Sequence, residues 1–114
     1  MMPHNVPTVR VDELPADAVL LDVREDDEWA AGRIAGAVHI PMNQVPQRVN
    51  HEPDPITPDA SIVVLCKVGG RSAQVTAWLR QQGYDAVNLE GGMQAWDAAG
   101  KAMEADGNVP PRVI

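Results

Sequence analysis

The segment IVVLCKVGGRS, residues 62–72, joins a short apolar run to the chain's single cysteine, two glycines and the start of a helical pattern. A short apolar run that ends at a glycine-containing turn is typical of a buried strand. After the segment, Val75, Trp78 and Leu79 follow the i, i+3, i+4 spacing of a buried helical face. The segment therefore predicts a strand, a glycine-containing loop and a helix, with Cys66 at the carboxyl end of the strand.

Strands and helices alternate on both sides of this segment. Alternation of this kind predicts an α/β fold built in layers around a mainly parallel sheet. In such sheets ligands bind beyond the carboxyl ends of the strands, which is where Cys66 and the residues after Val23 are expected. The predicted strands are Thr8–Val11, Val19–Val23, Gly36–Pro41, Ile62–Leu65 and Ala86–Leu89, and the predicted helices are Glu25–Ala31, Met42–Arg48, Ser72–Gln82 and Met93–Ala99.

Glycine and proline residues mark the boundaries of the predicted elements. Gly32 stands where a C-terminal cap of the helix Glu25–Ala31 is expected, and three prolines predict a surface loop at Val49–Pro58. Residues 1–100 are expected to form a single domain. Residues 101–114, which contain two adjacent prolines, are expected to form a C-terminal tail that lies on the surface or is disordered.

Size and charge exclude several classes of function. At 114 residues the chain is long enough for one compact domain and too short for two of usual size. Its net charge of −7 argues against nucleic acid or an anionic membrane as the partner, because both attract clustered Lys and Arg. The N-terminal residues lack the basic and apolar segments of a secretory leader, and no apolar run approaches the length that spans a bilayer. A soluble cytoplasmic protein is therefore expected.

The cysteine and histidine content argues against a metal site and a structural disulfide. A single cysteine cannot form an internal disulfide, a C-x-x-C redox pair or a cysteine-rich zinc site. His4, His39 and His51 show no metal-ligand spacing, and His39, near a strand end, is expected to make a structural hydrogen bond. The sequence therefore predicts no metal site.

The position of Cys66 favours a nucleophile. A glycine-containing connection into a helix start collects backbone N–H groups and the positive end of the helix dipole, and both stabilise a thiolate. Lys67 and Arg71 flank the thiol in an acidic chain, although a basic residue at a helix start opposes the dipole. A structural alternative stays open, in which Cys66 packs as a small apolar residue, Gly69-Gly70 is only a turn and Arg71 pairs with an acid.

Two further motifs lie before and after this loop. Residues 21–25 read LDVRE, Glu28-Trp29 follow, and residues 32–41 read GRIAGAVHIP; downstream, Gly91-Gly92 precede Ala95-Trp96. With the Cys66 loop between them, these motifs resemble those of the rhodanese-like sulfurtransferases. The resemblance implies a single-domain, three-layer α/β/α rhodanese-like fold with a five-stranded, mainly parallel sheet of strand order 3-2-4-5-1.

The resemblance also implies a reaction. Cys66 would take sulfane sulfur from a small anionic donor such as thiosulfate, or from a persulfide donor, and become a persulfide itself. It would then pass the outer sulfur to a thiophilic acceptor, either a thiol or a protein. No metal or organic cofactor is required, because a thiolate and N–H donors supply this chemistry. The substrate-binding residues that the loop implies are Lys67, Val68, Gly69, Gly70, Arg71 and Ser72.

Three residues outside the loop are expected to support it. Asp22 and Arg24 resemble the family's pair at the end of the second strand, and their expected role is a salt bridge that holds the active-site loop or caps the following helix. Glu28 stands where two-domain, thiosulfate-specific members tend to carry a second arginine, so thiosulfate is expected to be a poor natural donor. Glu28 could instead pair with Arg71 and order the loop, which would also reduce the positive field around Cys66.

Two other kinds of function stay open. Phosphatases and arsenate reductases of related fold hold an oxyanion in a C-x5-R loop, whereas Cys66 and Arg71 are spaced as C-x4-R. The shorter loop favours a sulfur atom over a phosphoryl group. The domain could also be a non-catalytic binding module, or a sulfur carrier that shares the chemistry and hands its sulfur to a partner protein.

Overall fold

A parallel sheet forms the centre of the molecule. The computed structural model describes residues 6–51 and 55–114. Within those ranges the strands are β1 (Thr8–Val9), β2 (Val19–Asp22), β3 (Val38–His39), β4 (Ser61–Leu65) and β5 (Asp85–Leu89). Their order across the sheet is β1, β5, β4, β2, β3, and every neighbouring pair is parallel, as the resemblance implies.

Helices follow the strands along the chain. They are α1 (Asp26–Ala31), α2 (Val45–His51), α3 (Gly70–Gln81) and α4 (Gly92–Ala98), with a short 3-10 helix, Met42–Gln44, directly before α2. The longest, α3, has 12 residues. Within the described ranges no helix combines enough length with enough apolar character to cross a bilayer.

Alternate residues of β4 face opposite helical layers, as the two-residue period of a strand requires. Ile62 and Val64 belong, together with Cys66, to an apolar cluster that includes residues of α2 and α3. Val63 and Leu65 belong to a second cluster that includes residues of α4. The sheet therefore lies between two helical layers, which confirms the predicted three-layer α/β/α fold, and Cys66 lies on the side of α2 and α3.

The predicted surface loop Val49–Pro58 is wrong at its start, because α2 extends into it. Val45 and Val49 lie one helical turn apart and are both buried, so the helix continues along its apolar face. Ile56, inside the predicted loop, is only 1 % exposed and anchors this part of the chain in the core. Residues 52–54 of the predicted loop lie outside the described ranges.

Other element ends differ from the prediction by a few residues. Helix α3 begins at Gly70 instead of Ser72, and helix α4 begins at Gly92 instead of Met93. Strand β3 covers only Val38–His39. Glycine has a low helix propensity, which is why the sequence pattern places both helix starts too late.

Residues 101–114 contact the end of α1. The backbone N–H of Arg112 donates to the carbonyl oxygen of Ala31 at 2.9 Å. Gly32 does follow α1 as its cap, but its φ of −179° is extended and not left-handed. A Cβ on Gly32 would overlap the backbone of Arg112, so the close passage of the C-terminal segment explains the glycine. The predicted boundary between domain and tail stays a prediction.

Candidate active site

The loop between β4 and α3 directs hydrogen-bond donors at the sulfur of Cys66. The N–H groups of Gly69 and Ser72 lie 3.1 Å and 3.4 Å from Sγ, and the Ser72 hydroxyl oxygen lies 3.3 Å from it. Gly69 has a φ of 119°, in the left-handed region that favours glycine. This conformation lets the loop fold back over the sulfur, so donors from two residues converge on one atom.

Two opposing effects act on the Cys66 thiol. The residue is only 1 % exposed, and burial raises the pKa of the thiol because it penalises the charged form. Hydrogen bonds from Ser72, and from the backbone N–H groups of Gly69 and Val68, lower the pKa by more than burial raises it. The net pKa of Cys66 therefore lies below its ordinary value, and the loop favours the nucleophilic thiolate.

The other predicted loop residues have different surroundings. The carbonyl oxygen of Lys67 accepts a hydrogen bond from the Gln94 N–H at 3.0 Å. Val68 lies near the turn of the loop, and 56 % of its surface is exposed. A Cβ on Gly70 would find open space, with nothing from the described part of the chain within 4 Å beyond its own neighbours and helix backbone. The loop is thus fixed at Lys67 and open beside Gly70.

Arg71 and Glu28 form a bidentate ion pair, as the sequence had suggested. Arg71 Nη1 and Nη2 lie 2.7 Å and 2.9 Å from Glu28 Oε1 and Oε2. The hydrogen bonds from Arg71 lower the pKa of the Glu28 carboxyl from 4.5 to about 2, in spite of partial burial. Glu28 Oε1 also accepts the Glu25 N–H at the start of α1. The pair ties α1 to the first turn of α3 and balances the charge of Arg71.

Asp22 and Arg24 form a second ion pair, which is fully buried. Arg24 Nη2 lies 2.8 Å from Asp22 Oδ2, and Arg24 Nε lies 2.9 Å from Oδ1. The guanidinium also donates to the carbonyl oxygens of Glu28 and Gly32, at 3.3 Å and 2.7 Å. The sequence offers two roles for this pair, to hold the active-site loop or to cap the following helix. The contacts observed are those of a cap on α1, the helix that carries Glu28.

Two features of the site are not among those that the sequence predicts. Asn88 of β5 accepts the Ser72 hydroxyl at 2.6 Å and donates to the Gly69 carbonyl oxygen at 3.2 Å. The N–H of Met93, in the first turn of α4, donates to the Cys66 carbonyl oxygen at 2.8 Å. A polar amide in an otherwise apolar strand is a usable signal for Asn88. No local pattern shows that α4 contacts the Cys66 loop.

His39 has structural contacts. Its Nε2 lies 2.8 Å from the carbonyl oxygen of Arg24, and its ring stacks on Trp29 with the centroids 4.5 Å apart. This hydrogen bond is the kind that the sequence predicted for His39. Over residues 6–51 and 55–114, no three side chains of His, Cys, Asp or Glu are placed to hold a metal ion. His4 lies outside those ranges.

Comparison with known proteins agrees with this fold. The rhodanese-like domain family matches residues 10–99. A sulfurtransferase of Allochromatium vinosum is 41 % identical over 90 residues, which cover 78 % of this chain and 80 % of that protein. The thiosulfate sulfurtransferase GlpE of Actinobacillus succinogenes is 35 % identical over 96 residues, which cover 83 % of each chain.

A solved structure extends the comparison to three dimensions. The crystal structure of a rhodanese-like domain protein from Staphylococcus aureus has a TM-score of 0.75 and 34 % identity, and the match covers 89 % of this chain and 99 % of that one. Relatives named as sulfurtransferases support a transferase activity. Since the family match spans most of the chain and the sheet has the implied strand order, this protein belongs to the rhodanese-like family.

Proposed function

We propose that this protein is a sulfurtransferase that carries sulfane sulfur as a persulfide on Cys66. The observation that carries the proposal is the convergence of the Gly69 N–H, the Ser72 N–H and the Ser72 hydroxyl on one sulfur atom. A thiolate is the nucleophilic form of cysteine. Donors fixed around it can also hold the persulfide anion that forms next.

Each half of the reaction is a displacement at sulfur. The Cys66 thiolate attacks the outer sulfur of the donor, a new S–S bond forms, and the donor's bond to that sulfur breaks. The electron pair of the broken bond leaves with the rest of the donor, as sulfite from thiosulfate or as a thiolate from a persulfide. An acceptor thiolate then attacks the outer sulfur on Cys66, and the Cys66 thiolate is restored.

The charges around the loop favour a persulfide over thiosulfate as the natural donor. Arg71 is bound by Glu28, which leaves Lys67 as the other cation of the loop. Thiosulfate is a dianion that needs strong cationic partners, whereas a small persulfide presents only one charge at its reacting sulfur. The same ion pair argues against a phosphatase, because its arginine has to contact the phosphoryl oxygens.

Sulfur loading of Cys66 tests the proposal. The reduced protein is incubated with thiosulfate or with glutathione persulfide, and its intact mass is measured. We expect one added sulfur atom that dithiothreitol removes and that is absent from Cys66→Ala. Because Cys66 is the only cysteine of the chain, a protein that gains no sulfur from either donor contradicts the proposal. Steady-state transfer to cyanide then separates an enzyme from a carrier.

A further inference from the structure

The side chain of Asn88 connects two residues of the Cys66 loop. Asn88 lies on β5, next to β4 in the sheet, and is only 7 % exposed. Its Oδ1 accepts the Ser72 hydroxyl at 2.6 Å, and its Nδ2 donates to the Gly69 carbonyl oxygen at 3.2 Å. Because Nδ2 faces a carbonyl oxygen, the orientation of the amide is fixed by its partners.

The two residues that Asn88 binds are among those whose N–H groups approach Cys66 Sγ. Asn88 contacts the carbonyl group of Gly69 and the hydroxyl group of Ser72. The N–H groups of both residues therefore stay available to the sulfur. A loop with glycine at two successive positions has high conformational freedom. A buried amide on an inner strand of the sheet limits this freedom.

The Ser72 hydroxyl has one proton and three acceptors within reach. Its oxygen lies 2.6 Å from Asn88 Oδ1, 3.3 Å from Cys66 Sγ and 3.3 Å from the Gly69 carbonyl oxygen. One hydroxyl donates one strong hydrogen bond at a time. The Ser72 hydroxyl therefore donates to Asn88 Oδ1 while the sulfur is neutral, and a negative charge on the sulfur attracts the hydroxyl proton toward Cys66.

We propose that Asn88 is a positioning residue of the sulfur site, which aims the N–H groups of Gly69 and Ser72 at Cys66 Sγ and keeps the Ser72 hydroxyl beside it. Asn88 does not touch the sulfur in this arrangement and acts through these two residues. Its effect on sulfur transfer rests on the function proposed above. Its effect on thiol reactivity rests on the geometry alone.

The pH dependence of alkylation tests the proposal. The rate of Cys66 alkylation by iodoacetamide is measured against pH for the parent protein, Asn88→Asp and Asn88→Ala. In Asn88→Asp a carboxylate oxygen faces the Gly69 carbonyl without a proton and adds negative charge near the sulfur. We expect its alkylation midpoint to rise by about one pH unit, which lowers the thiolate population at neutral pH. Asn88→Ala releases the Gly69 and Ser72 N–H groups, which raises the midpoint, but it also frees the Ser72 hydroxyl to donate to the sulfur, which offsets part of the rise. We therefore expect a shift in the same direction that is smaller.

A matched control separates this effect from charge in general. Asn50→Asp makes the same chemical change at an exposed residue of α2, and it should keep the parent midpoint. A parent-like midpoint in folded Asn88→Asp or Asn88→Ala overturns the proposal, as does an equal shift in the control. Circular dichroism establishes that each variant is folded.

A measurement on the unmutated protein keeps the proposal testable if both variants unfold. The side-chain amide resonances of Asn88 are followed by NMR during a pH titration. Their chemical shifts should change at the pH where Cys66 ionises, and this change should be absent in Cys66→Ala. Chemical shifts that stay constant through the ionisation overturn the proposal. Neither readout uses a sulfur donor. A parent protein that accepts no sulfur therefore contradicts the proposed function while these results still decide the role of Asn88.

Discussion

Two Gly-Gly turns follow neighbouring strands of the sheet. Gly69-Gly70 follows β4 and Gly91-Gly92 follows β5, and in each turn the first glycine is left-handed, with φ 119° and 76°. In each turn the second glycine is the first residue of a helix. The surroundings differ: a Cβ on Gly70 would find open space, whereas a Cβ on Gly92 would overlap the carbonyl oxygen of Cys66.

The difference shows that one turn surrounds the sulfur of Cys66 and the other supports the backbone of the Cys66 loop. In the first turn, N–H groups point at Cys66 Sγ. In the second, the N–H groups of Met93 and Gln94 donate to the carbonyl oxygens of Cys66 and Lys67, at 2.8 Å and 3.0 Å. The free N–H groups of a helix start need partners, and here α4 finds them in the backbone of the loop. The second turn therefore supports the first.

The largest effect is expected from a methyl group at Gly92, in the turn after β5. Gly92→Ala places a Cβ against the backbone of Cys66 and Lys67, and Gly92 also has a positive φ of 53°. Backbone cannot move aside as a flexible side chain does, so we expect the free energy of unfolding to fall by about 4 kcal/mol. Urea denaturation measures the loss. A decrease below about 1 kcal/mol would show that α4 does not fix the loop.

A methyl group at Gly69, the left-handed residue of the turn after β4, is expected to lower the stability less than Gly92→Ala and to lower the reactivity of Cys66. Gly69→Ala strains the backbone by about 1–3 kcal/mol, since the φ of 119° suits only glycine. Relief of this strain turns the residue 69 N–H away from Cys66 Sγ, which raises the pKa of the thiol. Alkylation of Cys66 at neutral pH should therefore become slower. An unchanged alkylation rate would mean that this N–H does not contribute to the thiolate.

Removal of the Glu28 charge is expected to have a moderate effect on stability. The low pKa of about 2 for Glu28, against an ordinary 4.5, means that the folded state prefers the charged carboxylate. The stabilisation is present above pH 4.5 and is lost as the pH falls toward 2. Partial solvent screening reduces it to about 1–2 kcal/mol. Glu28→Gln should lower the free energy of unfolding at pH 7 by this amount and flatten its acid dependence, whereas Glu90→Gln, at an exposed acid, should do neither.

The same variant tests the choice of sulfur donor. In Glu28→Gln the guanidinium of Arg71 is no longer neutralised, so an anionic donor meets more positive charge at the loop. We expect faster loading of Cys66 from thiosulfate, with a gain that shrinks as the salt concentration rises. Loading from a persulfide should change less. An equal rate of thiosulfate loading in the variant and in Glu90→Gln would contradict the charge argument.

The fold and the Cys66 loop could be predicted because their signals are local. Apolar runs predicted the strands, and a strand followed by glycines and a helical pattern placed Cys66 at the carboxyl edge of the sheet. Gly91-Gly92 also lie between the last predicted strand and the last predicted helix. The sequence could not show why Gly92 must be a glycine, because the atoms that exclude a side chain belong to Cys66 and Lys67, which lie far away in the sequence.

The missed features depend on long-range contacts. Asn88 and Ser72 are 16 residues apart, and their hydrogen bond exists only because β5 lies beside β4 and α3 begins at the same edge. The prolines around Val49 are a strong local signal for a loop, whereas the burial of Val49 depends on packing against the core. Local patterns thus locate Cys66 at the end of β4, and tertiary contacts determine what surrounds it.

The smallest effect is expected from a methyl group at Gly70, in the turn after β4. The Gly70 Cα faces open space and begins α3 without a left-handed φ, so alanine fits the folded state and restricts the unfolded chain. The free energy of unfolding should stay within about 1 kcal/mol of the parent, on the stabilising side. Sulfur loading should persist, because the donors on Cys66 belong to Val68, Gly69 and Ser72. A loss of stability as large as that of Gly92→Ala would remove the distinction between the two turns.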